Sequence, residues 1–294
     1  MNKILKSQTL LGIMLISALF AFPSFATSLR PIRVALIDTG IDVDHVQLKE
    51  SIAINYGEFG QGRENNGIDD DGNGYIDDVH GWNFADDSSD ISDSVGHGTH
   101  VAGVIKAIMQ ASSKGQDVEF IPIKYYRKGM SKHQLVRAFR DAIEYALAQN
   151  ATIINLSGGG PLGDIEERSI VEKAYQKGAI VVAAAGNKIP GARDIAFFPA
   201  AYDLPNVISV VATDWNGHIL STSNQNHQKH NLFAPGKRIY STLPGNRRGF
   251  LTGSSQAAAV VTGIIAAHGL KLGQLVGLER LISSQNIAQL LSSN

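Results

Sequence analysis

From Arg33 onward the chain alternates short apolar runs with stretches of helical periodicity. The runs are Val34-Ala35-Leu36-Ile37, Val118 to Ile123, Thr152 to Leu156, Ala179 to Ala184 and Val207 to Val211. Most carry no polar alternation, the pattern of parallel strands buried on both faces. Between them, Ser131 is placed to cap a helix running to about Gln149. Leu135, Ala138, Phe139, Ala142, Ile143, Ala146 and Leu147 recur on one of its faces. A second helix is predicted from about Ile165 to Lys177, with Ile170, Val171, Ala174 and Tyr175 inward and Gly178 as its stop. This alternation predicts an α/β fold, a doubly wound, mostly parallel central sheet with helices on both faces. No internal repeat or low-complexity linker divides residues 27–294, which read as one domain.

The N-terminus follows a different rule. Lys3 and Lys6 precede an apolar stretch from Leu10 to Phe22, and Ser24-Phe25-Ala26 supplies small residues where a signal peptidase reads them. Residues 1–26 are therefore expected to be a secretory signal peptide cleaved after Ala26, giving a secreted or periplasmic protein. The rival reading, an uncleaved anchor, needs a longer apolar run than this one.

Composition narrows the function classes. Lys and Arg number 26 against 27 Asp and Glu, for a formal net charge of −1. A nucleic-acid binder needs an excess of cations to neutralise phosphates, and there is none. Cysteine is absent, which excludes disulfides and a lipidated cysteine after the signal. The mature chain is expected to be a monomer that binds neither nucleic acid nor membrane.

In open sheets of this kind, sites form beyond the carboxyl ends of the strands. Asp38 follows the first predicted strand, Ser157 and Gly158 the third, and Asn187 the fourth. A serine nucleophile needs a base, a carboxylate to orient that base, and donors for the developing oxyanion. Asp38 ends an apolar strand before Thr39-Gly40, although alone it would read equally well as a cap. His97 lies in Gly96-His97-Gly98-Thr99-His100-Val101-Ala102-Gly103, where glycines permit close approach. His100, one turn on, reads as a structural histidine. Ser255 lies in Gly253-Ser254-Ser255-Gln256-Ala257-Ala258-Ala259 at the start of an apolar helix. There the helix dipole and free N–H groups favour negative charge.

Together, in the order Asp, His, Ser, these stretches make the sequence resemble the subtilisin family of serine peptidases. The resemblance rests on the Asp38 strand, Gly96 to Gly103, Ile153 to Gly160 with Ala183-Ala184-Ala185-Gly186-Asn187, and Gly253 to Gly263. Phe198-Pro199-Ala200 through Ala234-Pro235-Gly236 extends it across most of the mature chain. It implies a secreted endopeptidase with Asp38, His97 and Ser255 as catalytic triad, acting on polypeptides. It also implies Asn187 as side-chain oxyanion donor beside the Ser255 N–H. Ser157, Gly158 and Gly159 would pair with substrate backbone, and Ala184, Ala185 and Gly186 would wall the pocket for the side chain before the scissile bond.

The chain also departs from that family. Where the family usually has Thr-Ser-Met-Ala-Ser-Pro-His, it reads Ser254-Ser255-Gln256-Ala257-Ala258-Ala259-Val260. Residues 27–32 leave no evident room for a folding pro-segment. The family's usual strong calcium site is expected to be lost, with Gln47 in place of an aspartate and a short loop near Gln110 to Asp117. In its place an insertion reads Asp69-Asp70-Asp71-Gly72-Asn73-Gly74-Tyr75-Ile76-Asp77-Asp78. Oxygen ligands at alternating positions around a glycine turn are calcium-loop chemistry. Asp69, Asp71, Asn73, the Tyr75 carbonyl and Asp77 or Asp78 are the expected ligands. A solvated acidic turn is the other reading, since His80 replaces the usual final glutamate. Lys188 and Phe197 suggest a pocket that takes small or acidic residues. A pseudoprotease that only binds extended peptides is the alternative function, and an esterase or transpeptidase using the same acyl-enzyme a third.

Overall fold

The computed structural model describes residues 30–112, 117–225, 231–284 and 287–292. The predicted signal peptide lies outside them. In chain order the elements are β1 (Ile32–Asp38), β2 (Trp82–Asn83), α1 (His97–Ala111), β3 (Val118–Lys124), α2 (Lys132–Ala148), β4 (Ile153–Leu156), α3 (Ile165–Gln176) and β5 (Ile180–Ala184). They continue with β6 (Val207–Thr213), β7 (Asn231–Pro235), β8 (Ile239–Leu243), β9 (Arg247–Leu251), α4 (Ser254–Ala267), α5 (Leu278–Ser284) and α6 (Ile287–Ser292).

Seven strands form one parallel sheet in the order β2-β3-β1-β4-β5-β6-β7. The five predicted strands are all in it. Side chains of β1 alternate between two cores. Val34 and Leu36 pack with Val101, Ile105 and Ile264 of α1 and α4, whereas Ala35 and Ile37 pack with Phe139, Ile143 and Ile170 of α2 and α3. Burial on both faces explains why these strands read as mostly apolar runs. From β1 the chain passes to β3 on one side and then to β4 on the other. The carboxyl end of β1 is therefore a topological switch point, where open sheets place their sites, and Asp38 stands on it.

The predicted helices hold. Ser131 caps α2 through a reciprocal capping box with Gln134, which satisfies two otherwise free N–H groups. Asp164 caps α3 by accepting from Glu166 N–H. Tyr175 departs from the expected inward face and is 42% exposed, because only Ile170, Val171 and Ala174 reach the sheet. The β8–β9 hairpin, β7 and the two-residue β2 had no clear sequence signal. They are short or alternate polar with apolar residues, so no sustained run marks them. Among the described residues no helix is long and apolar enough to cross a membrane.

Candidate active site

The site is built from strand ends and two helix starts. His97 is the first residue of α1, and its Nδ1 lies 2.7 Å from Asp38 Oδ1 at the end of β1. A carboxylate can only accept, so the contact places the proton on Nδ1 and leaves Nε2 as the free basic nitrogen. The Thr39 N–H donates to the same oxygen at 2.7 Å. Close approach of α1 to β1 depends on Gly98. A Cβ there would sit 2.1 Å from the Gly40 carbonyl oxygen and 3.2 Å from Asp38 Cβ.

Asp93, which sequence reasoning passed over, anchors this helix start. One of its oxygens accepts from Thr39 Oγ1, Val95 N and Gly96 N, and the other from Thr99 N and Thr99 Oγ1. Thr39 Oγ1 in turn accepts from Gly98 N. A buried carboxylate taking five hydrogen bonds holds the turn that carries His97 against the turn that carries Asp38. Its signal in the sequence was an aspartate three residues before the glycine that precedes the histidine. Burial alone would depress the His97 pKa. The Asp38 carboxylate opposes this by charge and hydrogen bond, with Asp93 adding to it, and the net position is above the usual histidine value.

Ser255 is the second residue of α4 and 5% exposed. Its hydroxyl donates to the Ser157 carbonyl at 3.3 Å. Asn155, fully buried, ties β4 to α4 by accepting from Thr262 Oγ1 and donating to Ser157 Oγ. Asn187 joins the same corner, because its Oδ1 accepts from the Ser254 N–H at 3.0 Å and from the Ser254 hydroxyl at 3.3 Å. The fold thus brings Asp38 to His97, and Ser255 to Ser157 and, through Ser254, to Asn187. No hydrogen bond joins Ser255 to His97 in this conformation. In ligand-free sites such bonds often close only around substrate.

Gly158 and Gly159 make no backbone hydrogen bond to other described residues, whereas Gly160 pairs with Phe198. They form a short open edge, and Ala184 ends β5 with Ala185 and Gly186 following it. Asn224 braces that segment. Its side chain donates to the Ala185 and Ile195 carbonyls and accepts from the Ile195 N–H. Beyond Gly159 lies a hollow of about 280 Å³ lined by Tyr125, Leu135, Val136, Phe139, Leu162 and Phe198. Lys188, expected to bring positive charge to the pocket rim, pairs with Asp194, its Nζ lying 2.6 Å from Asp194 Oδ1.

The acidic insertion sorts its carboxylates into two groups. Asp69 accepts from the Asn73 and Gly74 N–H groups, and Asp77 from those of Asn66 and Gly67. These two shape turns. Tyr75 turns its ring onto Trp82, Phe84 and Tyr145. Asp71 and Asp78 instead converge with Glu58, their oxygens within 4.8 Å of one another. Glu58 and Asp78 are wholly buried, and Glu58 Oε2 has no hydrogen-bond partner. Around them stand only neutral donors, namely Asn55, Asn73 and Tyr145. Burial pushes Asp78 up to about 6, against the hydrogen bonds of Tyr145, Asn55 and Asn73. Three carboxylates with an orphaned buried oxygen and no cationic side chain among their partners fit a hard divalent cation with oxygen ligands. Glu58, which precedes the motif, joins Asp71 and Asp78, while Asp69 and Asp77 stand outside the group. Gln47, in place of the family's usual calcium aspartate, accepts from Arg248 Nε.

Comparison with known proteins agrees with the geometry. The family model described as the subtilase family matches residues 30–272. The major intracellular serine protease of Bacillus subtilis (strain 168) is 32% identical over 276 residues, covering 89% of this chain and 75% of that protein. Subtilisin DY of Bacillus licheniformis is 33% identical, covering 80% of this chain and 75% of that protein. Among solved structures, a cold adapted subtilisin-like serine proteinase superposes with a TM-score of 0.63 at 26% identity, over 84% of this chain and 80% of that one. A strand-end aspartate on a helix-start histidine, with a serine at the start of a buried helix, thus sits in a chain that belongs to the subtilase family, the subtilisin-like serine endopeptidases.

Proposed function

We propose that this subtilase is an exported endopeptidase whose triad is Asp38, His97 and Ser255. The observation that carries the reading is the 2.7 Å contact from His97 Nδ1 to Asp38, since it leaves Nε2 unprotonated to take a proton. Ser255 Oγ attacks the scissile carbonyl and passes its proton to Nε2. The C–N bond then breaks, and His97 returns that proton to the leaving amine. Water, deprotonated in turn by His97, releases the acyl group and restores Ser255. Asp38 orients the ring and stabilises its cation. The Asn187 amide and the Ser255 N–H receive the oxyanion. Substrate backbone pairs with residues 157–159, and an apolar side chain further upstream fills the hollow beside Phe139 and Phe198. The acidic group at Glu58, Asp71 and Asp78 would hold a structural calcium ion. Residues 1–26 would direct export and be removed, leaving residues 27–294 as the catalytic domain.

The pseudoprotease reading draws on one observation, that the Ser255 hydroxyl donates to Ser157 and not to His97. A fluorophosphonate probe separates the two. Labelling of the enzyme but not of Ser255→Ala is the expected result. A folded, calcium-supplied protein that takes no label would replace the peptidase reading with the peptide-binding one.

A further inference from the structure

Phe197 lies between the two walls assigned above to the pocket for the side chain before the scissile bond. A Cβ on Gly186 would meet its Cγ, Cδ1 and Cδ2 at 2.8, 3.0 and 3.0 Å, and one on Gly159 would meet its Cε1 at 2.9 Å. One ring therefore touches both walls at once. Gly186 has φ +92, and Cβ-free backbone on each side is what admits the ring. The slot is matched to a side chain of the protein itself.

The ring is also held in place. Asn224 is 1% exposed and binds both Ala185 and Ile195, and its N–H donates to the Gly186 carbonyl. Asp194 takes both the Lys188 ammonium and the Gln225 N–H. Asp194 and Ile195, just before Phe197, are thus tied to the Gly186 wall, and Phe198, just after it, pairs with Gly160. A side chain entering the slot has to displace a clamped aromatic ring, which costs more than a small residue's contacts return.

We propose that Phe197 is a specificity-determining plug. By closing the slot between Gly159 and Gly186, it limits this peptidase to bonds that follow glycine, alanine or a similarly short residue. With Lys188 neutralised by Asp194, the slot has no preference for acidic side chains. This inference rests on the peptidase reading above and on its assignment of the two walls.

The test uses peptidyl diphenyl phosphonates that differ only in the residue next to phosphorus, with alanine, aspartate, leucine or phenylalanine there. A small alkyl fluorophosphonate reports reactivity of the serine alone. The wild-type enzyme is expected to react on the order of 100-fold faster with the alanine probe than with the phenylalanine or leucine probes, and to disfavour aspartate. In Phe197→Gly the ratio of phenylalanine to alanine rates within the one protein should rise by at least tenfold, and in Phe197→Ala by less. Each variant is checked for folding by its circular dichroism melt. If Phe197→Gly does not fold, the wild-type profile and Phe197→Ala decide. Wild-type enzyme that takes phenylalanine or leucine as readily as alanine overturns the plug while leaving the peptidase reading intact. So does a folded Phe197 variant with an unchanged ratio. Failure of even the small fluorophosphonate to label the wild type removes the peptidase reading itself.

Discussion

The side-chain carbonyl of Asn187 is occupied by Ser254, whose N–H and hydroxyl lie 3.0 and 3.3 Å away. With its oxygen engaged on the protein, the amide keeps its NH₂ as the free donor. Orientation of the donor is thus set before any substrate arrives, which is what makes such donors effective. Asn187→Ala is expected to lower kcat by about 10²–10³ with little change in KM, a magnitude that comes from this family's own oxyanion asparagine. Ser254→Ala keeps the backbone bond and should cost less than about tenfold, the size of one neutral hydrogen bond. Steady-state kinetics on one peptide substrate decide both, and equal losses in the two variants would refute the orienting role.

The acid limb of activity should lie above the ordinary histidine value. Catalysis needs neutral His97, and the Asp38 charge raises its pKa despite burial. As pH falls, the base is therefore lost sooner than an isolated histidine would be. Asp38→Asn removes the charge, so the limb should move to lower pH while kcat drops by about 10⁴ through the wrong tautomer. A kcat/KM profile with an acid midpoint below about 6 in the parent enzyme would contradict this.

His100 should make the fold acid-sensitive. Its Nε2 faces the Ile239 and Gly249 carbonyls at 3.0 and 3.3 Å, so the proton sits on Nε2. Nδ1 is buried without a partner, and a second proton there would meet no acceptor. Burial drives the pKa down to about 4. Between the unfolded value of about 6.5 and that figure the unfolded chain binds the proton better, so stability falls as pH falls through this window, by up to roughly 3 kcal/mol. His97 acts in the opposite sense, losing its contribution as pH rises through its raised pKa. An NMR titration of the His100 imidazole is the direct check, and a midpoint near 6.5 would rule the account out.

Calcium should raise the melting temperature through Glu58, Asp71 and Asp78. At free calcium 100 times its Kd the gain is about 2.7 kcal/mol, or roughly 5–10 °C for a domain of this size. Glu58→Gln is expected to abolish most of the difference between calcium and EGTA melts. Asp69→Asn, whose single amide oxygen can keep one of the two turn N–H bonds, should leave the calcium midpoint within about threefold. The reverse ranking would restore the ligand set that the loop spacing alone suggested.

Much of this was legible in the chain. Five largely apolar runs and two periodic helices specify a parallel sheet covered on both sides, because a strand buried on both faces is mostly apolar and a helix must repeat every turn. Asp38, His97, Ser255 and Asn187 were readable because each sits in a local setting of strand end, glycine turn or helix start that is written in neighbouring residues. The sequence by itself therefore determined the fold class and named the candidate residues at the strand and helix ends.

What only the tertiary structure decided are relations between residues far apart in the chain. Glu58 joins Asp71 and Asp78 because burial of the loop onto Tyr145 turns Asp69 and Asp77 to other duties, which no spacing rule encodes. Asp93, Asn155 and Asn224 are single polar residues whose importance comes from being buried with side-chain hydrogen bonds that tie distant segments together at the site. Phe197 fills its slot because two glycines, 27 positions apart in the sequence, face the same ring. Periodicity and motifs report local backbone preference, whereas ligand sets and pocket depth depend on where long-range packing brings side chains together.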